Sequence, residues 1–456
     1  LAGMKRLGVS GWQLTALSEV PEAARGPLPA TVPGCVHTDL LAAGVIQDPY
    51  VGRNELSAPW IGRSDWRYRA TFTVTAEALE AEHLTLVCDG LDTVAEISVN
   101  GELVARTESM HVGYRFEVKD RVREGENELE IVFRSPYAYA ERMKERLGDL
   151  PNAYPEPFNF IRKMACNFGW DWGPTLVTAG VWRELYLESW SGVRIASVRP
   201  LVTEATPEWA RVQVYAGLGG QPGGTLYASL KAPDGGVVAE AETEVHGPDA
   251  HLSLGVTNPQ RWWPRGHGER PLYTLTLMLG ESRWEARVGL RTVTLDTTPD
   301  DEGAAFTLLV NGKPVFCRGA NWIPDDAFPH RVTPERYRAR IEQAADAGMN
   351  MLRVWGGGIY ESEAFYNVCD ELGVMVWQDF PFACAAYPEE EPFAALVEAE
   401  ARYNVARLSP HPSLVLWNGN NENLWGYADW GWKEQLEGRT WGKGFYLDLL
   451  PRVAAE

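Results

Sequence analysis

The sequence predicts three units in series: an antiparallel β-sandwich over residues 1–192, a smaller sandwich of immunoglobulin type over 193–298, and the first half of an eight-stranded parallel β/α barrel over 299–456. Two patterns carry this reading. Up to about residue 296, apolar residues recur at period two in short runs broken by Gly, Pro, Asn and Asp, as half-buried antiparallel strands require. Beyond the dipeptide Asn311-Gly312, apolar strands alternate with segments of helical period, which implies parallel βαβ units. The length of 456 residues suits about three domains.

In the first unit Trp66, Tyr68, Ala70, Phe72 and Val74 share one face of a strand. Ala95, Ile97 and Val99 lead into Asn100-Gly101, after which Leu103 and Ala105 resume; that dipeptide tolerates positive φ and predicts a two-residue hairpin. Leu129, Ile131 and Phe133 repeat the alternation, and an aromatic insertion is expected between about 136 and 174. In the second unit the turn-rich stretch 219–224 separates Val212 and Val214 from Leu226, Ala228 and Leu230, and the run 258–264, with Trp262 and Trp263, reads as packing or a domain contact. In the third, Thr333 caps a helix with Pro334 in its first turn, Tyr337, Ile341, Ala344 and Ala345 share its buried face, and Gly348 stops it. A strand over 351–355, a helix ending at Gly373, a strand over 374–377, a helix over about 392–408 and a strand over 414–417 follow. With 315–320 as the first strand, four strands of an eight-stranded barrel are present.

Composition narrows the function. A formal charge of −20 argues against nucleic acid and anionic membrane surfaces, and leaves a neutral partner. Nineteen Trp supply flat apolar rings with a hydrogen-bond donor, which suit sugar faces. The six cysteines, at 35, 88, 166, 317, 369 and 384, form no Cys-x-x-Cys pair, so neither a zinc site nor a disulfide framework is signalled. No secretory signal or membrane-span pattern is seen, and the expectation is a soluble, cytoplasmic protein with no metal or organic cofactor. Oligomeric state is open.

Each barrel-strand end delivers polar or aromatic groups: Asn321-Trp322, Arg353 with Trp355-Gly356-Gly357-Gly358, Gln378-Asp379, and Asn420-Asn421-Glu422. Strand C-termini are where this fold gathers its active sites. A carboxylate there is a candidate proton-transfer group, and glycosidic cleavage uses two.

Three runs in this unit, 348–361 (Gly-Met-Asn-Met-Leu-Arg-Val-Trp-Gly-Gly-Gly-Ile-Tyr-Glu), Trp377-Gln378-Asp379-Phe380 and Trp417-Asn418-Gly419-Asn420-Asn421-Glu422, resemble β-mannosidases of glycoside hydrolase family two. In the first unit 32–40, Asp65-Trp66-Arg67-Tyr68 and Gly169-Trp170-Asp171-Trp172-Gly173-Pro174 are similar to the same enzymes, so the resemblance covers nearly the whole chain. It implies a jelly-roll sandwich of sugar-binding type for 1–192 and an exo-acting retaining hydrolase that releases terminal β-D-mannose. Glu422 would be the general acid/base, in an aromatic-lined pocket where desolvation raises its pKa. Asn421 would bond the sugar 2-hydroxyl, Arg353 would orient the nucleophile, Trp355 would wall the subsite, and Asp171 and Trp172 would fix hydroxyls at the nonreducing end. Read from the residues alone, Arg353 equally suits a structural ion pair, and the Asp171-Trp172 loop a domain seam.

The family's nucleophile is a glutamate in a Ser-Glu-Phe-Gly type segment after a later barrel strand, and nothing in 423–456 matches it. The resemblance gives Asp379 and Asp171 binding or structural roles. The expectation is the N-terminal part of a longer β-mannosidase without its nucleophile, with an unpaired fourth strand that leaves the third unit partly disordered or aggregating. Another exo-glycosidase of the family and a non-catalytic carbohydrate-binding protein are the alternatives. The expected outcome is that this chain alone hydrolyses aryl β-mannosides no faster than its Glu422→Gln variant, and p-nitrophenol release from the mannoside measures it.

Overall fold

A computed structural model describes residues 4–456. The first unit packs a four-stranded antiparallel sheet (Lys5–Leu7, Leu185–Trp190, His83–Cys88, Tyr114–Glu117) against a six-stranded one (Leu28–Pro29, Ser10–Ala16, Trp66–Val74, Gly125–Phe133, Val94–Val99, Glu102–Glu108). The alternation read from the sequence is the burial pattern: Trp66, Tyr68, Ala70, Phe72 and Val74 all point into the core, with Leu84, Leu86, Ile97, Ile131 and Phe133. Asn100 and Gly101 take φ of 50° and 83° and close the hairpin. The aromatic insertion opens with a helix, Pro136–Leu147, capped by Ser135, and continues as irregular chain to about 179.

The second unit packs three strands (Val193–Ala205, Trp209–Gly220, Asp249–Thr257) on four (Val237–Glu244, Thr225–Lys231, Tyr273–Leu279, Ser282–Val288). Gly219 and Gly220 belong to the strand, paired with Arg194 and Val193, so the turn narrows to 221–224 and carries the chain from one sheet to the other. Trp262 is fully buried against the third unit and donates from Nε1 to the Asp370 carbonyl at 3.0 Å, as a domain contact should.

The third unit holds a four-stranded parallel sheet in chain order: β1 (Gly319–Trp322), α1 (Pro334–Asp346), β2 (Met351–Val354), α2 (Glu363–Leu372), β3 (Met375–Asp379), α3 (Phe393–Leu408) and β4 (Leu414–Asn418). Its helix signals act as read: the Thr333 hydroxyl accepts from the Arg336 amide at 3.2 Å, and Gly373 closes α2 in the left-handed region. One strand differs. Val315 lies in an antiparallel hairpin, Thr307–Val310 with Lys313–Val315, formed by the tight Asn311-Gly312 turn, so the parallel sheet starts at Gly319 and not at 315. A Cβ on Gly319 would stand 2.0 Å from the Met351 carbonyl, so the side chain is excluded by the neighbouring strand.

No strand pairs with the outer edge of β4 among the described residues; helices Asn423–Asp429, Trp432–Leu436 and Leu450–Ala455 follow it, and the last packs on α3. The third unit has an extended apolar core from Tyr337 and Phe365 to Leu450 and Val453. Among the described residues no helix is long and apolar enough to cross a membrane.

The approach to β4 is fixed electrostatically. His411 Nδ1 lies 2.6 Å from Asp370 and Nε2 2.8 Å from Glu363, while Ser413 donates to Asp370 from its amide and its hydroxyl. Burial pulls the imidazole down, but the Asp370 charge and the two carboxylate contacts outweigh it and leave the pKa at about 9. A folded pKa above the unfolded value of about 6.5 means that this stabilisation is complete below pH 6.5 and is lost as pH rises through about 9. In urea unfolding followed by tryptophan fluorescence, the advantage over His411→Gln should be on the order of 3 kcal/mol near pH 6 and largely gone near pH 10.

Candidate active site

Parallel register brings the ends of β1 to β4 level, with Asn321 opposite Arg353 and Asp379 opposite Asn418. Arg353 is the centre of the cluster. Its Nη2 donates to Asp379 Oδ2 at 2.7 Å and to Asn421 Oδ1 at 2.8 Å, and its Nη1 to Asn321 Oδ1 at 3.2 Å. Asp379 also accepts from the Gly356 amide (3.0 Å), Trp377 Nε1 (3.2 Å) and Asn418 Nδ2 (2.8 Å). Burial pushes this carboxyl above its ordinary value, and Arg353 and the other donors oppose that. The ion pair is therefore what the structure gives Arg353, with Asp379 as a structural carboxylate whose oxygens are all engaged. The close approach needs Gly356: a Cβ there would meet the Phe382 and Phe380 carbonyls at 2.7 and 2.8 Å.

Glu422 ends the turn after β4 with φ of 62°, directly before helix Asn423–Asp429. Segment 380–387 runs beside it. The Asn421 amide donates to the Phe382 carbonyl and the Cys384 amide to the Asn421 carbonyl, both at 2.9 Å. Cys384 Sγ stands 3.1 Å from Glu422 Oε2. The desolvated, aromatic-lined setting expected for Glu422 is not found: the residue is exposed, with Cys384 beside it and Tyr154 within reach of its charge. Asn421 is buried.

The aromatic wall comes from two units. Trp355 is only 7% exposed, covered edge-on by Trp170 (5.0 Å between centroids) and Trp172 (5.5 Å), so it backs the wall while Trp172, 45% exposed, faces solvent. Asp171, also exposed, lies where its charge acts on Cys384 and Tyr154. This first-unit loop is held by adjacent cations pointing opposite ways. Arg162 binds Glu400 of α3 at 2.8 Å and the Pro381 carbonyl at 3.0 Å; Lys163 binds Asp92 of the first unit at 2.6 and 2.8 Å, and all four side chains are buried.

The structure thus brings Arg353, Asn421, Glu422, Asp171, Trp172 and Trp355 to one mouth. The sequence reading missed Cys384 and Tyr154 as neighbours of Glu422; Cys384 lies 38 residues away from it, and no spacing rule links them. A cavity of about 860 Å³ lies elsewhere, between the second unit and α2 and α3, and its Arg287, Arg402, Arg407 and His411 already hold carboxylates. Chemistry, not cavity size, marks the site. Among the described residues no group of three His, Cys, Asp or Glu side chains is placed to hold a metal.

Residues 12–183 match the family model described as the glycosyl hydrolase 2 galactose-binding domain-like. The chain is 37% identical to the β-mannosidase of Mus musculus over 421 residues, which are 87% of this chain and 48% of that protein. It is 36% identical to β-mannosidase B of Emericella nidulans over 453 residues, 93% of this chain and 52% of that one. The chain is a relative of the β-mannosidases of glycoside hydrolase family two. It spans about half the length of these curated relatives. In three dimensions it superposes on a β-D-mannosidase from Dictyoglomus thermophilum with a TM-score of 0.89 at 39% identity, covering 100% of this chain and 56% of that one. A likeness to an exo-β-D-glucosaminidase, at a TM-score of 0.70 and 19% identity, extends to the fold alone.

Replacing Arg353 with Met leaves Asp379 buried without its counter-charge and should cost about 3–5 kcal/mol. The uncompensated carboxyl is driven further up, so the deficit should grow as pH rises above the unfolded carboxylate pKa of about 3.9 and shrink on acidification. Urea unfolding of the variant and of the Arg353→Met, Asp379→Asn double variant at several pH values measures this, and the double variant should recover part of the loss.

Proposed function

We propose that these residues form the proton-transferring side of a site that hydrolyses terminal, nonreducing β-D-mannosides with retention of configuration. The reading rests on one observation above all: an exposed Glu422 with one oxygen unengaged follows a buried Asn421 at a parallel strand end, in a chain 36–39% identical to proteins named β-mannosidases. In this reading 299–456 is the first half of a (β/α)8 barrel, 193–298 is immunoglobulin-like, and 1–192 is a sugar-binding jelly roll.

Glu422 protonates the glycosidic oxygen as the bond breaks, then accepts a proton from the water that releases the sugar. Asn421, held by Arg353, meets the 2-hydroxyl, a contact that strengthens in the transition state. Asp171 and Trp172 cross from the first unit to close the nonreducing end, which makes release exo-acting. The nucleophile must stand about 5–5.5 Å from Glu422. Asp379 is unsuited to that role because Arg353, Gly356, Trp377 and Asn418 occupy its oxygens.

Two measurements test the proposal. Turnover of p-nitrophenyl β-D-mannoside, wherever it is seen, should fall about 100-fold or more in Glu422→Gln, in line with loss of general acid/base catalysis. Titration calorimetry with methyl β-D-mannoside should show binding that Trp172→Ala and Asp171→Ala weaken. Where turnover is measurable, its persistence unchanged in Glu422→Gln would overturn the assignment, and mannoside binding that neither Trp172→Ala nor Asp171→Ala weakens would overturn the place given to the first-unit loop.

A further inference from the structure

Among the described residues, Cys384 is the one side chain in hydrogen-bond contact with the Glu422 carboxylate. The thiol is buried, and its backbone sits in the left-handed region at φ 49°, which an L-residue adopts at a cost of about 1–2 kcal/mol. The surrounding bonds hold that conformation: the amide of Cys384 is fixed to the Asn421 carbonyl, and the Ala385 amide reaches Asn423 Oδ1 at 3.4 Å. The contacts form a directed chain. Arg353 Nη2 donates to Asn421 Oδ1, Asn421 Nδ2 donates to Cys384 Sγ at 3.4 Å, and the thiol donates to Glu422 Oε2 at 3.1 Å. Burial drives the thiol well above its ordinary pKa, so it stays protonated and serves as donor.

We infer that Cys384 is a positioning residue for Glu422, holding Oε2 through a weak S–H donor so that Oε1 is left for the glycosidic oxygen. The choice of sulfur matters. A hydrogen bond to the charged form of a carboxylate lowers its pKa, and a hydroxyl does this more strongly than a thiol. Charged and titratable groups around this contact are Asp171, whose charge acts on Cys384 and Tyr154; Tyr154 itself, on which the Glu422 charge acts; and Arg353 with Asp379 through Asn421. The donor on Oε2 is the one side-chain hydrogen bond to this carboxylate among the described residues. The inference rests on the reading of Glu422 as the proton-transferring group.

The contact can be read without turnover, from the S–H stretching band in infrared or Raman difference spectra. Subtracting Cys384→Ala isolates this thiol from the other five. The expected Cys384 band is displaced to lower frequency and moves up in Glu422→Gln, where the acceptor is neutral. Glu422→Gln alters only an exposed side chain, so the comparison holds even where Cys384 variants fold poorly. A band at the frequency of an unbonded thiol, or one unmoved in Glu422→Gln, would overturn the inference and leave the acid/base reading standing. Where hydrolysis is measured, Cys384→Ser should shift the alkaline limb of kcat/KM down by about half to one pH unit, and an unshifted limb would overturn the tuning role. Hydrolysis untouched in Glu422→Gln would instead overturn the acid/base reading, and with it the purpose of the contact.

Discussion

The ion pair between Arg353 and Asp379 organises the third unit's mouth. Asp379 is fully buried and Arg353 partly so, and a buried carboxylate is tolerated only when it is paired and hydrogen-bonded. That requirement recruits Asn321, Gly356, Trp377, Asn418 and Asn421, so one electrostatic need places a residue from each of four consecutive strands. The chemistry assigned to Asn421 and Glu422 inherits its geometry from that arrangement. A loose pair would cost stability and positional accuracy together.

The same logic joins the units. Arg162 and Lys163 are neighbours in sequence, yet one is neutralised by the third unit and the other by the first, so the loop between them and Trp172 cannot follow either unit alone. Arg162 also lies over the Phe382 ring at 4.4 Å, on the segment that carries Cys384 to Glu422. Separation of the units would break the buried Arg162–Glu400 pair and leave both charges without their partner, which makes it costly. The wall of aromatic rings over Trp355 is thereby a fixed part of the site.

Much of this was legible in the sequence, and the failures have physical causes. Period-two and helical patterns report burial, which is why the Trp66–Val74 strand and the Pro334–Asp346 helix lie where the pattern put them. Val315 misled because an apolar residue before a parallel strand and one inside a hairpin look alike; only the pairing of the Asn311-Gly312 turn separates them. The strand-end residues were legible because alternation and motif coincide there. Cys384 was not, since its role depends on two loops meeting, and its left-handed backbone has no signature in a residue that is neither Gly nor Asn. The exposure of Glu422 was not legible either, because it depends on which walls surround the residue, which the local sequence does not encode.

The middle unit offers no catalytic group, but Arg291 extends from it to the Pro412 and Leu414 carbonyls at 2.9 and 2.8 Å, just where β4 begins. Successive residues of a strand face opposite ways, so a slip of one position would turn Trp417 and Asn418 to the wrong sides and move Asn421 and Glu422 with them. Arg291 therefore acts as a register pin. A sandwich with no chemistry of its own decides which face of the last strand is presented to the site.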